Sequence, residues 1–448
     1  VHASLWLDEV EYWIYERNPA IRGIESRRPG SKIAEYFFNY FYCDIQRVVH
    51  AVLRPLGLTL QRDPELFLRF LSIVSLAGAV IVVYVMAFRQ SRDWAWSTAA
   101  ALLAGASPVL LFYAFEARVS AFATFGMVVY LALLAMALAH PKPRNLCIAG
   151  ALLGIFLGHV HVYVACVYGG LCVAAVIRFL IARSGAEAVI TGAFAVPGIV
   201  TSFAETMYIR MTYPSGQGFP LYVPHRFGEL LSITLSVFSS TGLSTPLLLF
   251  RLLSIFVLGA TIAIVLYTLK QSPYLVMPIA ALLALTATLV IGSTYGYMIL
   301  PRYQVPLFGA LLFSFAFAYT KPARICVLLL AAIELFAWPG ALRDTFLKGN
   351  SRPIASVIAS TPREGTAVIV QHPLRLGYPD PLHSFALAFY LDELHPALPP
   401  VHIYELPSLH DVTHAEGVLP YFDGGAPLRQ AFAATPGPEW VKQLSASP

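Results

Sequence analysis

About ten stretches of this chain are apolar for long enough to cross a bilayer, and the loops between them alternate in charge. A spanning helix needs roughly 20 predominantly apolar residues. Residues 70–88, 94–114, 119–139, 145–160, 163–182, 188–207, 252–269, 274–292, 303–319 and 324–340 meet or approach that length. No clear turn separates the fourth and fifth of these near 158–166. The stretch 229–250 is moderately apolar and rich in Ser and Thr, so it is expected to lie on the membrane surface or dip into it. Composition agrees: 57% of the 448 residues are hydrophobic and 12% charged, where a soluble domain carries about 25% charged residues. The mean hydropathy of +0.66 points the same way. The net charge of +5 does not mark a nucleic-acid binder, because the basic residues are spread through short inter-span loops. Cys43, Cys147, Cys166, Cys172 and Cys326 show no paired spacing, so neither a disulfide framework nor a zinc cluster is expected.

Lys and Arg orient the spans. Arg89 and Arg92 follow the first run, Lys142 and Arg144 the third, and Arg178 and Arg183 close the fifth. Lys270 ends the seventh, and Lys321 and Arg324 follow the ninth. Every second loop is therefore short and basic, and the positive-inside rule puts those loops in the cytoplasm. The other side receives 1–69, 115–118, the turn near 159–162, 208–251, 293–302 and 341–448. Residues 341–448 change character, being Pro-rich with mixed charge. TAVIVQ reads as a short strand, and SFALAFYLDEL and the run before Pro362 read as helices, so this segment is expected to form a small extracytoplasmic α/β domain.

Five groups of polar residues fall on that outer side. SLWLDEVEYW places Asp8 beside Glu9 among Trp6, Tyr12 and Trp13. A carboxylate there can take a proton from an attacking hydroxyl, adjacent acids can hold a divalent cation, and aromatic rings stack on sugars or anchor the interface; a solvated loop is the plainer alternative. YAFEARVSAF puts Glu116 and Arg118 at a span end, either paired locally or forming an anion site. LGHVHVYV carries His159 and His161, whose spacing does not share a helix face; a third metal ligand is missing in sequence. PRYQVP sets Arg302 and Tyr303 at the start of a span, where Arg can fork onto phosphate or simply anchor the interface. Arg69 in PELFLRFLSIV is a further outer-edge cation. His410 and His414 are read as surface residues.

In this order the segments resemble the GT-C superfamily of membrane glycosyltransferases, close to the protein O-mannosyltransferases and the lipid A aminoarabinose transferases. The resemblance is carried by WLDE (Trp6 to Glu9), PELFLR (Glu65, Arg69), EAR (Glu116 to Arg118), a His at a later outer turn and RY (Arg302, Tyr303). It implies an all-α polytopic membrane protein, a GT-C-like helical bundle, with the small C-terminal extracytoplasmic α/β domain. Residues 1–340 would be the transmembrane glycosyltransferase domain, with 1–69 its first outer loop, and 341–448 the soluble domain. The family has a span before its first outer loop, so a missing first span is expected here. Ser120 stands where many relatives have Tyr, and the family's proline-rich run is reduced to Arg28-Pro29-Gly30.

The resemblance implies transfer of a sugar from a polyprenyl-phosphate-linked donor to a lipid, glycan or protein acceptor outside the cytoplasm. The membrane would be the bacterial inner (plasma) membrane, membrane lipid a partner and nucleic acid none. Asp8 would be the general base and Glu9 its companion. Arg302, Arg118 and Arg69 would bind the donor phosphate, and Glu116, His159, His161, Tyr303 and Trp6 would bind substrate. No resident metal is assigned, and a divalent cation is left open as the cofactor. A transporter or lipid flippase is the alternative; it would place its polar groups near the bilayer midplane in paired repeats, and no repeat is visible here.

Overall fold

The computed structural model describes residues 41–59, 62–115, 119–161, 163–212, 272–295, 301–317, 320–346, 351–360, 367–371, 402–406 and 419–423, with 256, 259–260, 262–263, 387 and 390–391. Twelve α-helices are described: α1 Phe41–Leu53, α2 Pro64–Ser91, α3 Trp94–Ala106, α4 Pro108–Ala114, α5 Val119–Ala139 and α6 Arg144–Val160, then α7 Val164–Ala182, α8 Gly185–Thr212, α9 Val276–Tyr295, α10 Pro301–Phe315, α11 Lys321–Phe346 and α12 Ser351–Ser360. Strands β1 Ala367–Gln371, β2 His402–Leu406 and β3 Leu419–Asp423 follow.

The chain is an integral membrane protein: Pro64–Ser91, Val119–Ala139, Val164–Ala182 and Gly185–Ala204 are long and apolar enough to span a bilayer. Arg144–Val160, Val276–Val290 and Gln304–Phe315 are shorter apolar helices. Local sequence sets the helix ends. Asp63 caps α2, its carboxylate accepting from the Leu66 amide at 3.4 Å, and Pro64 opens the helix where no backbone N–H is needed. Asp93 caps α3, accepting from the amides of Ala95 and Trp96 at 2.9 and 3.1 Å. The apolar run 94–114, which reads as one span, is broken into α3 and α4 at Ser107 (φ −58°, ψ 113°). Pro108 drives the break, since it lacks an N–H and pushes the preceding residue out of the α region.

The chain divides into two compact units. One contains Cys43–Leu68 and the chain from Thr345 onward; the other contains Tyr42 and Arg69–Asp344. In the second unit six helices close a ring: α5 packs on α6, α6 on α8, α8 on α7, α7 on α9, α9 on α10, and α10 back on α5. Small residues let these helices approach. A Cβ on Gly126 would meet the Leu157 side chain, one on Gly309 the Thr124 side chain, and one on Gly170 the carbonyl oxygen of Ala280. Tyr130, Tyr168 and Phe194 fill the middle, with centroids 5.3 Å (Tyr130–Tyr168) and 5.6 Å (Tyr130–Phe194) apart. The Tyr168 hydroxyl donates to the Gly154 carbonyl at 2.8 Å, so the buried phenol is satisfied.

In the first unit the described sheet has the order β1-β2-β3. β1 runs parallel to β2, with Ala367 opposite His402 and Gln371 opposite Leu406. β3 runs antiparallel to β2. A parallel pair needs a crossover, and helical residues Leu387, Tyr390 and Leu391 lie within this one. The described residues of the C-terminal segment are thus helix and strand together, and AVIVQ supplies β1.

Candidate functional site

A layer of aromatic side chains lies one turn below several helix ends of the six-helix unit. The Tyr42 hydroxyl is 3.0 Å from Ser72 Oγ on α2. The Tyr42 ring is 6.0 Å from that of Phe122 on α5, and Phe122 lies edge-on to Phe156 of α6 at 6.3 Å. Ser72, Phe122 and Phe156 each lie one turn from a residue in the first two turns or the last turn of their helix. Arg69 stands three before Ser72, Val119 (the residue after Arg118) three before Phe122, and His159 three after Phe156. A side chain three positions along lies on the same helix face one turn away, so the ends of α2, α5 and α6 meet at one end of the unit.

α10 adds its start to the same end. Gly309 lies against Thr124 of α5. The far end of α10 is held elsewhere: Trp96 Nε1, at the start of α3, donates to the Ala316 carbonyl at 3.3 Å. The start of α3 follows the end of α2 by a two-residue turn, so it belongs to the opposite end of the unit. Pro301, Arg302 and Tyr303 therefore open α10 at the end shared by Arg69 and His159. Gln304, fully buried, donates to Thr288 Oγ1 of α9 at 3.4 Å.

The singled-out residues divide as follows. Arg69 is 3% exposed. His159 is half-buried in the last turn of α6, and His161 is buried as the residue that ends it, extended at φ −155° and ψ 110°. Its amide donates to the Leu157 carbonyl at 3.0 Å, and three residues later α7 begins. This tight turn uses neither Gly nor Pro, which is why its sequence shows no boundary. Burial lowers the His161 pKa to about 4, so at neutral pH this imidazole is an uncharged hydrogen-bonding group and not a cation for phosphate. Arg302 and Tyr303 occupy the first turn of α10. Trp6, Asp8, Glu9, Glu116 and Arg118 lie outside the described residues, as do His410 and His414.

Two sets of contacts among the described residues had no sequence signal. Glu65, in the first turn of α2, is buried and accepts from Arg352 at 2.7 Å and from the Tyr390 hydroxyl at 2.9 Å. Both partners belong to the same compact unit but stand hundreds of positions away in sequence. The opposite end of the six-helix unit has its own polar cluster, in which Arg324 pairs with Asp93 at 3.8 Å and lies 5.1 Å over the Trp96 ring. An apolar groove of about 460 Å³ between α2, α3 and α11, lined by Val80, Tyr84, Leu102 and Leu335 among others, has no acidic or basic lining residue. Among the described residues no three His, Cys, Asp or Glu side chains come together as a metal site.

No protein-family model matches the chain, and no characterised protein matches it in sequence. Its architecture is similar to that of ArnT from Cupriavidus metallidurans. Against the apo crystal structure the TM-score is 0.56 at 14% identity, covering 90% of this chain and 89% of that one. Against the crystal structure of ArnT bound to undecaprenyl phosphate the TM-score is 0.52 at 14% identity, covering 94% and 93%. The chain therefore has the GT-C fold over nearly its whole length.

Proposed function

We propose that this chain is a membrane glycosyltransferase that moves a sugar from a polyprenyl-phosphate donor to an acceptor on the extracytoplasmic side. The observation that carries the reading is the meeting of the Arg69, His159 and Arg302 helix ends at one end of a GT-C bundle. It is supported by the neighbour of the same fold that was solved with undecaprenyl phosphate. A donor with a long apolar tail stays in the bilayer, so its sugar phosphate is met at the membrane surface.

The step is one inverting displacement. The acceptor oxygen attacks the anomeric carbon as the bond from that carbon to the phosphate oxygen breaks. Asp8 takes the hydroxyl proton and Glu9 orients the reacting groups. Arg302, Arg118 and Arg69 face the phosphate as it gains charge, and positive groups placed where charge develops are often the largest catalytic term. The carboxylates also offset the positive character that builds on the sugar ring. Trp6, Tyr303, Glu116, His159 and His161 hold the sugar and acceptor, with His161 as a neutral donor or acceptor of hydrogen bonds. Sugar and acceptor are the variables of the test: purified enzyme is offered a panel of polyprenyl-phosphate sugars, wild type against Asp8→Asn. The variant should fold normally and lose about 10²-fold or more in transfer; a variant that turns over at the wild-type rate would remove Asp8 from the mechanism.

A further inference from the structure

The groove between α2, α3 and α11 can be placed along its helices. α2 ends and α3 begins at the turn that holds Arg92 and Asp93, and Arg324, in the first turn of α11, pairs with Asp93 there at 3.8 Å. From this turn Val80 lies twelve residues back along α2 and Gly105 twelve residues along α3; Leu335 lies eleven residues beyond Arg324. At about 1.5 Å per residue all three stand about 16–18 Å from the charged turn. They form the deep end, where a Cβ on Gly105 would meet the Val80 side chain. Tyr84, Thr98 and Leu102 line the groove between that end and the charged turn. The Thr98 hydroxyl donates to the Trp94 carbonyl at 2.9 Å, so it asks nothing of an occupant. Eleven residues at about 100° each return to within about 20° of the start, so Arg324 shares the face of α11 that Leu335 presents to the groove. The groove is open sideways: Leu102 is 46% exposed, and Tyr84, Thr98 and Leu335 are exposed.

Charge says what fits. Arg89, Arg92, Lys321 and Arg324 stand within a turn of the groove's mouth, and Asp93 is the one acid on these three helix ends. Asp93 is already engaged, by Arg324 and by the α3 amides it caps. Arg89, Arg92 and Lys321 are exposed, and Arg89 donates to the Met136 sulfur at 3.5 Å, a weak acceptor. The mouth is therefore cationic and the slot below it apolar. Basic side chains at a span end attract anionic headgroups. The hydrocarbon core is about 30 Å thick, so a slot about 16–18 Å deep along a spanning helix has the reach of one acyl chain in one leaflet. A polyprenyl chain is several times longer than that.

We propose that this groove holds one acyl chain of an anionic glycerophospholipid whose phosphate is met by Arg89 and Arg92. The site lies at the end of the unit opposite Arg69 and His159, and it does not depend on any transfer chemistry. The full chain would carry Leu102→Trp in one form and, as a reference for bulk lipid, Val196→Trp on α8 in another; Val196 is 50% exposed. In phosphatidylcholine vesicles, quenching by acyl-brominated phosphatidylglycerol is compared with quenching by acyl-brominated phosphatidylcholine, each beyond that of the wild-type chain. At 102 phosphatidylglycerol should bind about fivefold tighter or more, and at 196 the two lipids should bind alike. Arg89→Gln with Arg92→Gln, which leaves the Arg324–Asp93 pair in place, should remove the preference at 102. The same ratio at 102 and 196, or a preference that survives both Arg substitutions, would overturn the proposal. So would no quenching at 102 by either lipid, which would mean that protein covers the groove. Unbrominated undecaprenyl phosphate should relieve the quenching less than unbrominated phosphatidylglycerol does; equal or greater relief would give the groove to a polyprenyl lipid and sink the assignment. The native chain is tested in parallel, with phosphatidylglycerol carrying a diazirine midway along one acyl chain. Irradiation should label 80–84 or 98–106 several-fold more than the matching phosphatidylcholine probe does, and equal labelling by the two probes would refute the site.

Discussion

Glu65 holds a carboxylate that water hardly reaches, and its two donors come from segments far along the chain. Breaking a buried ion pair by removing one partner leaves the other uncompensated, typically at a cost of several kcal/mol. Arg352 is partly exposed, so the loss here is smaller. Glu65→Ala should destabilise the unit by about 2 kcal/mol, and Tyr390→Phe, which deletes one hydrogen bond, by about 1 kcal/mol; thermal unfolding in detergent measures both. His161 makes a prediction with a definite sign. Its folded pKa of about 4 lies below the ordinary value of 6.5, so the unfolded chain binds the proton first as pH falls. Stability is fully present above pH 6.5 and declines between 6.5 and 4, by at most about 3 kcal/mol. His161→Gln should flatten that part of the profile of melting temperature against pH. An unchanged slope would show that other groups set the acid limb.

Helix contacts in the ring depend on single missing side chains. Gly169 and Gly170 are neighbours on α7, yet a Cβ at Gly169 meets nothing within 4 Å and one at Gly170 runs into the backbone of Ala280 on α9. Backbone cannot step aside as a flexible side chain can, so Gly170→Ala should cost about 1–3 kcal/mol. Gly169→Ala should be neutral or stabilise by up to about 1 kcal/mol through helix propensity. Size-exclusion chromatography after graded heating distinguishes the two, and equal losses would refute the contact. At this scale the sequence is informative where physics is local. Apolar length announced α2, α5, α7 and α8, although α2 starts at Pro64, ahead of the apolar run that begins at 70. The break at Ser107 was also written locally, in Pro108, but hidden inside a run of uniform hydropathy. Nothing local distinguishes Gly170 from Gly169.

Over the whole molecule, what was legible is the order of the apolar runs and the polar residues near their ends; what was not is how distant helices meet. Arg69, His159 and Arg302 could be named from charge in an apolar setting. The layer of Tyr42, Ser72, Phe122 and Phe156 that joins their helix ends could not, because an aromatic residue in an apolar run gives no sign of its partner. Glu65 is a similar case, read as part of a motif while its donors stayed invisible. The ring closes only when α10 reaches α5, through Gly309 and Thr124. These residues leave the ribosome about 185 positions apart, which at 5–20 residues per second is a delay of about 10–40 s. During synthesis α5 must therefore wait in the membrane beside lipid or the insertion machinery, its future contact face uncovered. Thr124 is suited to that interval: its hydroxyl donates to the Ser120 carbonyl of its own helix at 2.8 Å, so it needs no partner from a helix not yet made.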